Sequence, residues 1–88
     1  MSEKGPMHDA IQDECMAIAH MLQLKNAAYN NSALDPVRIM SKAPPDEQIR
    51  VRIDDKLSRL ARGSTDGEDV ELDLIGYLIL LRIARRSA

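Results

Sequence analysis

Apolar residues along the chain recur at steps of three and four in three separate stretches, and no stretch alternates at the step of two that marks a half-buried strand. Met7, Ile11, Cys15, Ile18 and Leu22 form the first stripe. Ile49, Ile53, Leu57 and Leu60 form the second, and Val70, Leu74, Tyr77, Leu81 and Ala84 the third. The stretches between them carry turn chemistry. Asn30-Asn31-Ser32 closes the first, because Asn tolerates the left-handed backbone of a helix end. Asp35-Pro36 predicts a cap and first residue for a short helical turn through Met40. Ala43-Pro44-Pro45 breaks the chain again, Gly63 stops the second stripe, and Ser64 to Gly67 is a tight polar turn. The expected fold class is all-α: three long antiparallel helices plus a short helix in the first connection. Residues 1–6 are expected to be a flexible N-terminal tail and residues 7–86 a single helical domain.

The third stretch is apolar nearly all round between Leu74 and Leu81, since Ile75, Leu78, Ile79 and Leu80 lie off its stripe. Such a helix is central or covered by a partner. Two other helices can hardly surround it, so the fold is expected to be completed by oligomerisation. Composition strengthens this expectation. The chain has 88 residues and no Phe or Trp, so Leu, Ile and Met must fill a modest core. The methionines at 7, 16, 21 and 40 are read as core filler, and Cys15, on the first stripe, as a small buried hydrophobe.

Charge and cysteine usage narrow the partners. A net charge of −2 argues against binding extended nucleic acid, which favours a basic excess, yet it leaves room for a local basic pocket. One cysteine permits no intrachain disulfide and suits a reducing cytoplasm. The N-terminus lacks an apolar signal core, and LIGYLILL at 74–81 is under half the length of a membrane span. The expectation is a soluble cytoplasmic protein with no membrane partner.

Three sets of residues carry candidate chemistry. Arg52, Lys56 and Arg59 share one face of the second helix beside its apolar stripe, a reasonable cradle for phosphate. The plain alternative is a solvated charged face, with Asp55 pairing to Arg59 four residues on. Lys25 and Tyr29 extend the first stripe, and Lys25 either tilts inward or snorkels to the edge. Asp69 and Asp73 lie one turn apart on the third helix. With Glu14 from the first helix they would supply the hard oxygens that magnesium prefers. Their alternative is structural: Asp69 as an acid favoured by the helix dipole, Asp73 paired with Lys56 or Arg59. The short turn at 63–67 brings these charges onto facing surfaces either way. His8 and His20 are too far apart to share a helix face, and no Cys/His cluster suggests zinc.

The motifs Lys25-Asn26-Ala27-Ala28-Tyr29-Asn30-Asn31-Ser32, Arg52-Ile53-Asp54-Asp55-Lys56-Leu57-Ser58-Arg59-Leu60 and Glu68-Asp69 through Asp73-Leu74-Ile75-Gly76-Tyr77 resemble the nucleotide modification associated domain 1 family. These are small all-α domains of bacterial viruses and prophages, and the resemblance spans roughly residues 11–81. It implies a nucleotide-type ligand, held by Lys25, Tyr29, Asn31, Arg52, Lys56 and Arg59, and a host cytoplasmic setting. Where the family carries an acid before the tyrosine this chain has Ala28, and where it carries glycine after it, Asn30. Loss of that acid favours binding over catalysis. The chain is more loosely similar to all-α MazG-type nucleotide pyrophosphatases, whose acidic helices hold magnesium around a triphosphate. Their clean E-x-x-E and E-x-x-D spacings are absent. The leading reading is a homo-oligomeric protein that binds, and thereby sequesters, a nucleotide or nucleotide-derived phosphate. The alternatives are a magnesium-dependent nucleotide pyrophosphohydrolase, with Glu14, Asp69 and Asp73 on the metal, and a non-catalytic protein-interaction module.

Overall fold

Local chemistry accounts for where each helix starts and stops. A computed structural model describes residues 4–35 and 38–86, in which α1 spans Pro6–Ala28, α2 Pro45–Arg62 and α3 Val70–Arg86, with no strand among the described residues. Proline occupies the first turn of α1 and of α2, where a missing amide hydrogen is no loss. The third helix is capped differently. A side-chain oxygen of Asp69 accepts the Leu72 amide at 2.9 Å, and its carbonyl accepts the Asp73 amide at 3.0 Å. At the end of α2, Gly63 sits at φ 71°. Its amide donates to the Leu60 carbonyl at 3.2 Å and that of Ser64 to the Arg59 carbonyl at 3.0 Å, the paired bonds of a Schellman end. After α1, Asn30 and Asn31 adopt φ 53° and 62°, the left-handed backbone expected of them.

The first connection departs from expectation. Residues 38–40 form no helix, and Pro36, on which the short turn was to start, lies outside the described residues. Among the described residues the protein is a bundle of three helices, and no helix is long and apolar enough to cross a membrane.

The packing is uneven. Helices α2 and α3 lie against each other, while α1 meets α3 alone. Ile49, Val70 and Ile18 are the buried apolar side chains. Helix α1 approaches α3 closely at Gly76, where an added Cβ would stand 2.8 Å from Leu22 Cδ2. A glycine inside a helix lowers stability by roughly 1 kcal/mol relative to alanine, and the close approach of Leu22 is what it permits here. Nearby, Lys25 of α1 reaches Asp73 of α3 at 3.2 Å. Both contacts fall in the second half of α1, so its first half projects without an apolar partner. Met7 is 71% exposed, Ile11 56% and Met16 63%, and Cys15 is exposed as well. Met40, in the connection, is also exposed. The expectation that Met7, Met16, Met40 and Cys15 fill a core is therefore corrected. Periodicity put Met7 and Cys15 on one stripe, but among the described residues no helix covers that part of it.

Two substitutions test this packing. Ile49→Ala should lower unfolding stability by about 2–5 kcal/mol, read from urea denaturation. Gly76→Val should lift α1 from α3 and raise amide exchange across residues 18–28 while leaving α2 protected; protection equal to wild type would refute the close-approach role of Gly76.

Candidate functional site

The charges flanking the 63–67 turn do meet, in a chain of alternating sign that runs through all three helices. Lys25 of α1 pairs with Asp73 Oδ1 of α3 at 3.2 Å, and Lys56 of α2 pairs with Asp73 Oδ2 at 3.3 Å. Lys56 also reaches Glu68 at 3.4 Å. Arg59 Nη1 donates to both Glu68 oxygens, at 2.7 and 2.6 Å, and its Nε pairs with Asp55 at 3.3 Å. The Lys56 side chain is 12% exposed and that of Asp73 22%, so this is the least hydrated part of the array.

The protonation equilibria follow from that geometry. For Asp73, partial burial pushes the carboxyl up, but hydrogen bonds from Lys25 and Lys56, with their charges, outweigh it and hold it below its ordinary 3.8. Lys56 is pulled down by burial and raised more strongly by Asp73 and Glu68, ending above its ordinary 10.5. Glu68 lies below its ordinary 4.5, chiefly through the Arg59 hydrogen bond. Asp73, Lys56 and Glu68 are each held in the charged form near neutrality.

Beside it opens a cavity of about 420 Å³, within the range of small-molecule sites. Met21, Leu22, Gly76 and Leu80 supply its apolar lining, and Lys25, Asn26, Tyr29, Arg52, Asp73 and Tyr77 its polar and aromatic groups. Each arrives for a local reason. Lys25 and Tyr29 are one turn apart at the end of α1, and Asp73 and Tyr77 one turn apart on α3. Arg52 extends from α2, and among the described residues it has neither hydrogen-bond nor ion-pair partner. Tyr29 is 68% exposed, so much of its ring remains open to solvent.

Of the six residues expected to hold a phosphate ligand, Lys25, Tyr29 and Arg52 line this cavity. Asn31 stands behind it, accepting a hydrogen bond from Asn26, which does line it. Lys56 touches the cavity only through Asp73, and Arg59 is engaged with Glu68 and Asp55. The three carboxylates considered for magnesium have separate settings: Glu14 is exposed on α1, Asp69 caps α3, and Asp73 is held by two lysines. No group of three or more His, Cys, Asp or Glu able to hold a metal ion occurs among the described residues.

Glu68 is the residue that sequence reasoning placed poorly, naming it only within the Glu68-Asp69 motif. The signal lay in helix capping. Asp69 is the residue that caps α3, which leaves Glu68 in the turn, within reach of α2.

Acid should expose the array. Carboxyls held below their unfolded values contribute stability above about pH 5 and lose it as pH falls through their folded values, below 3.8 for Asp73. Lys56 has the opposite sign: its contribution is full below 10.5 and is lost only as pH rises past that value. Urea midpoints from pH 7 down to about 3 should fall steeply below about pH 4. Asp73→Asn should start lower at neutrality and fall less; a parallel curve would remove Asp73 from this role.

No protein-family model, curated protein or solved structure matches this chain.

Proposed function

We propose that this protein binds a nucleotide or nucleotide-derived phosphate in the cavity lined by Lys25, Arg52, Tyr29 and Tyr77, and that it does so without transforming it. The observation that carries this reading is Arg52: a guanidinium beside a concave site, with no partner among the described residues. Its planar fork is suited to phosphate oxygens. Lys25 adds a second cation on the same wall, and Asn26 an amide that can read a base or sugar edge. Tyr29 and Tyr77 supply aromatic faces on which a base can stack, each such contact contributing about 1–3 kcal/mol.

Asp73 also lines the cavity, and its charge opposes an anion. Lys25 and Lys56 already neutralise it from both sides, so Arg52 is left as excess positive charge. A ligand phosphate engages Arg52 first and Lys25 second, with Asp73 keeping the Lys25 ammonium in place. The resemblance to a nucleotide-associated phage family points to the same substrate class, and the replaced acid at Ala28 to retention of the ligand. In this reading the helices are antiparallel and the working form is a cytoplasmic homo-oligomer.

Calorimetric titration with a nucleotide panel, and with inorganic phosphate as the minimal probe, tests the proposal. Arg52→Ala should weaken nucleotide binding by about 10- to 100-fold, the loss of one charge-assisted contact. Its melting temperature should equal wild type, since Arg52 supports no other residue. Saturable binding that survives Arg52→Ala unchanged, or no binding of any nucleotide, overturns it.

A further inference from the structure

The surface exposed by the monomer is too large for a chain of this size. The accessible area is 7034 Å², against about 5,200 Å² for a compact 9.8-kDa monomer. The radius of gyration is 15.4 Å, against about 12 Å for a compact domain of this length. The excess, about 1,800 Å², is of the size that one subunit of an obligate dimer gives up on association. Part of the uncovered apolar surface lies on two faces, apart from the exposed Ile39 and Met40 of the first connection and Val51, Leu57 and Leu60 of α2. One is the first half of α1, with Met7, Ile11 and Cys15. The other is the side of α3 carrying Ile75 and Ile79, the latter 36% exposed with Leu78 beside it at 45%.

Charge says what covers them. From Pro6 to Leu24 the chain contains Asp9, Asp13 and Glu14 and no Lys or Arg; from Leu78 to Arg86 it contains Arg82, Arg85 and Arg86 and no acid. Arg82 and Arg86 continue the Ile75–Ile79 row at steps of three and four, and Glu14 borders the α1 stripe at Ile11 and Ile18. Glu14, Arg82 and Arg86 are exposed, and none has a hydrogen-bond or ion-pair partner among the described residues. An apolar row edged by an acid and an apolar row ending in two arginines are complementary. They occur once each per chain, as a two-fold interface between identical subunits requires.

We infer that two copies of this chain associate by laying the first half of α1 of each against the Ile75–Ile79 face of α3 of the other, with Glu14 facing Arg82 and Arg86. The inference names the oligomeric contact of the reading above, yet it stands without the ligand site. Its test uses ligand-free protein, so the two fail separately.

Sedimentation equilibrium of the full chain over a concentration series should give a mass of twice 9.8 kDa that dissociates on dilution. Ile11→Glu puts a charge on an exposed apolar position, harmless to the monomer, and should raise the dissociation constant by roughly 100-fold or more. Glu14→Arg should weaken association about tenfold, and adding Arg82→Glu and Arg86→Glu to it should restore affinity. Circular dichroism of each variant should show unchanged helix content. A monomer at every concentration, an association indifferent to Ile11→Glu, or a triple variant no tighter than Glu14→Arg alone overturns the proposal.

Discussion

Asp73 is where the three helices are tied together. Its two oxygens hold Lys25 of α1 and Lys56 of α2, and the apolar core behind it is small, with Ile18, Ile49 and Val70 as its buried members. Hydrophobic burial is non-directional, so a core this thin does little to choose one angle between α1 and the rest. A bridged carboxylate does choose, because both hydrogen bonds are short only in one arrangement. The energy of an exposed ion pair is slight, but Asp73 and Lys56 are mostly withdrawn from water, where removing one partner leaves the other charged and poorly solvated. The bridge therefore matters more for orientation than for net stability. Gly76, three residues on, works with it: the backbone approach it permits sets the depth at which Leu22 seats, and Asp73 sets the direction.

The same carboxylate shapes the cavity wall. It stands between a lysine that faces the cavity and a lysine that does not, so one residue both screens the positive charge and fixes where it lies. Two cations, Lys25 and Arg52, line the cavity against one carboxylate, Asp73, which would favour an anion in the proposed site. The charge row read from α2 thus divides by role. Arg59 secures the turn through Glu68 and Asp55, Lys56 secures α3 through Asp73, and Arg52, a turn earlier than Lys56, is left for the cavity.

What was legible in the sequence was local. The helical period, the Gly63 stop and the left-handed asparagines all depend on neighbours within a few residues and appear where expected, whereas Pro45, read only as part of a chain break, opens α2. The two fates left open for Lys25, inward tilt or snorkelling, are divided by the structure: its side chain stays 54% exposed at the edge while its ammonium meets Asp73. What failed depended on where one helix ends relative to another. The stripe through Met7, Ile11 and Cys15 is genuine as a pattern, but a pattern states which face is apolar and not whether anything covers it. Glu68 and Asp69 are adjacent acids in the same turn, and their division into bridge and cap was set by the residue at which α3 begins. Gly76 carried no local signal beyond being a glycine inside a helix.

The proposed association and the proposed ligand binding would use different sides of α3. At about 100° per residue, Asp73, Gly76, Tyr77 and Leu80 fall on one side of the helix, and Ile75, Ile79, Arg82 and Arg86 on the other. A second copy seated on the latter side leaves the cavity open. Helix α1 nevertheless belongs to both, since its end supplies Lys25 and Tyr29 to the cavity and its beginning supplies Met7 and Ile11 to the proposed interface. A helix is stiff over this length, so a shift of α1 at one end is felt at the other. Subunit association would then hold α1 in place without touching the ligand, and the ordering that a monomer must undergo on binding would already be complete in the dimer. The thin monomer core and the open cavity are on this view two consequences of one arrangement, in which α1 rests on α3 alone.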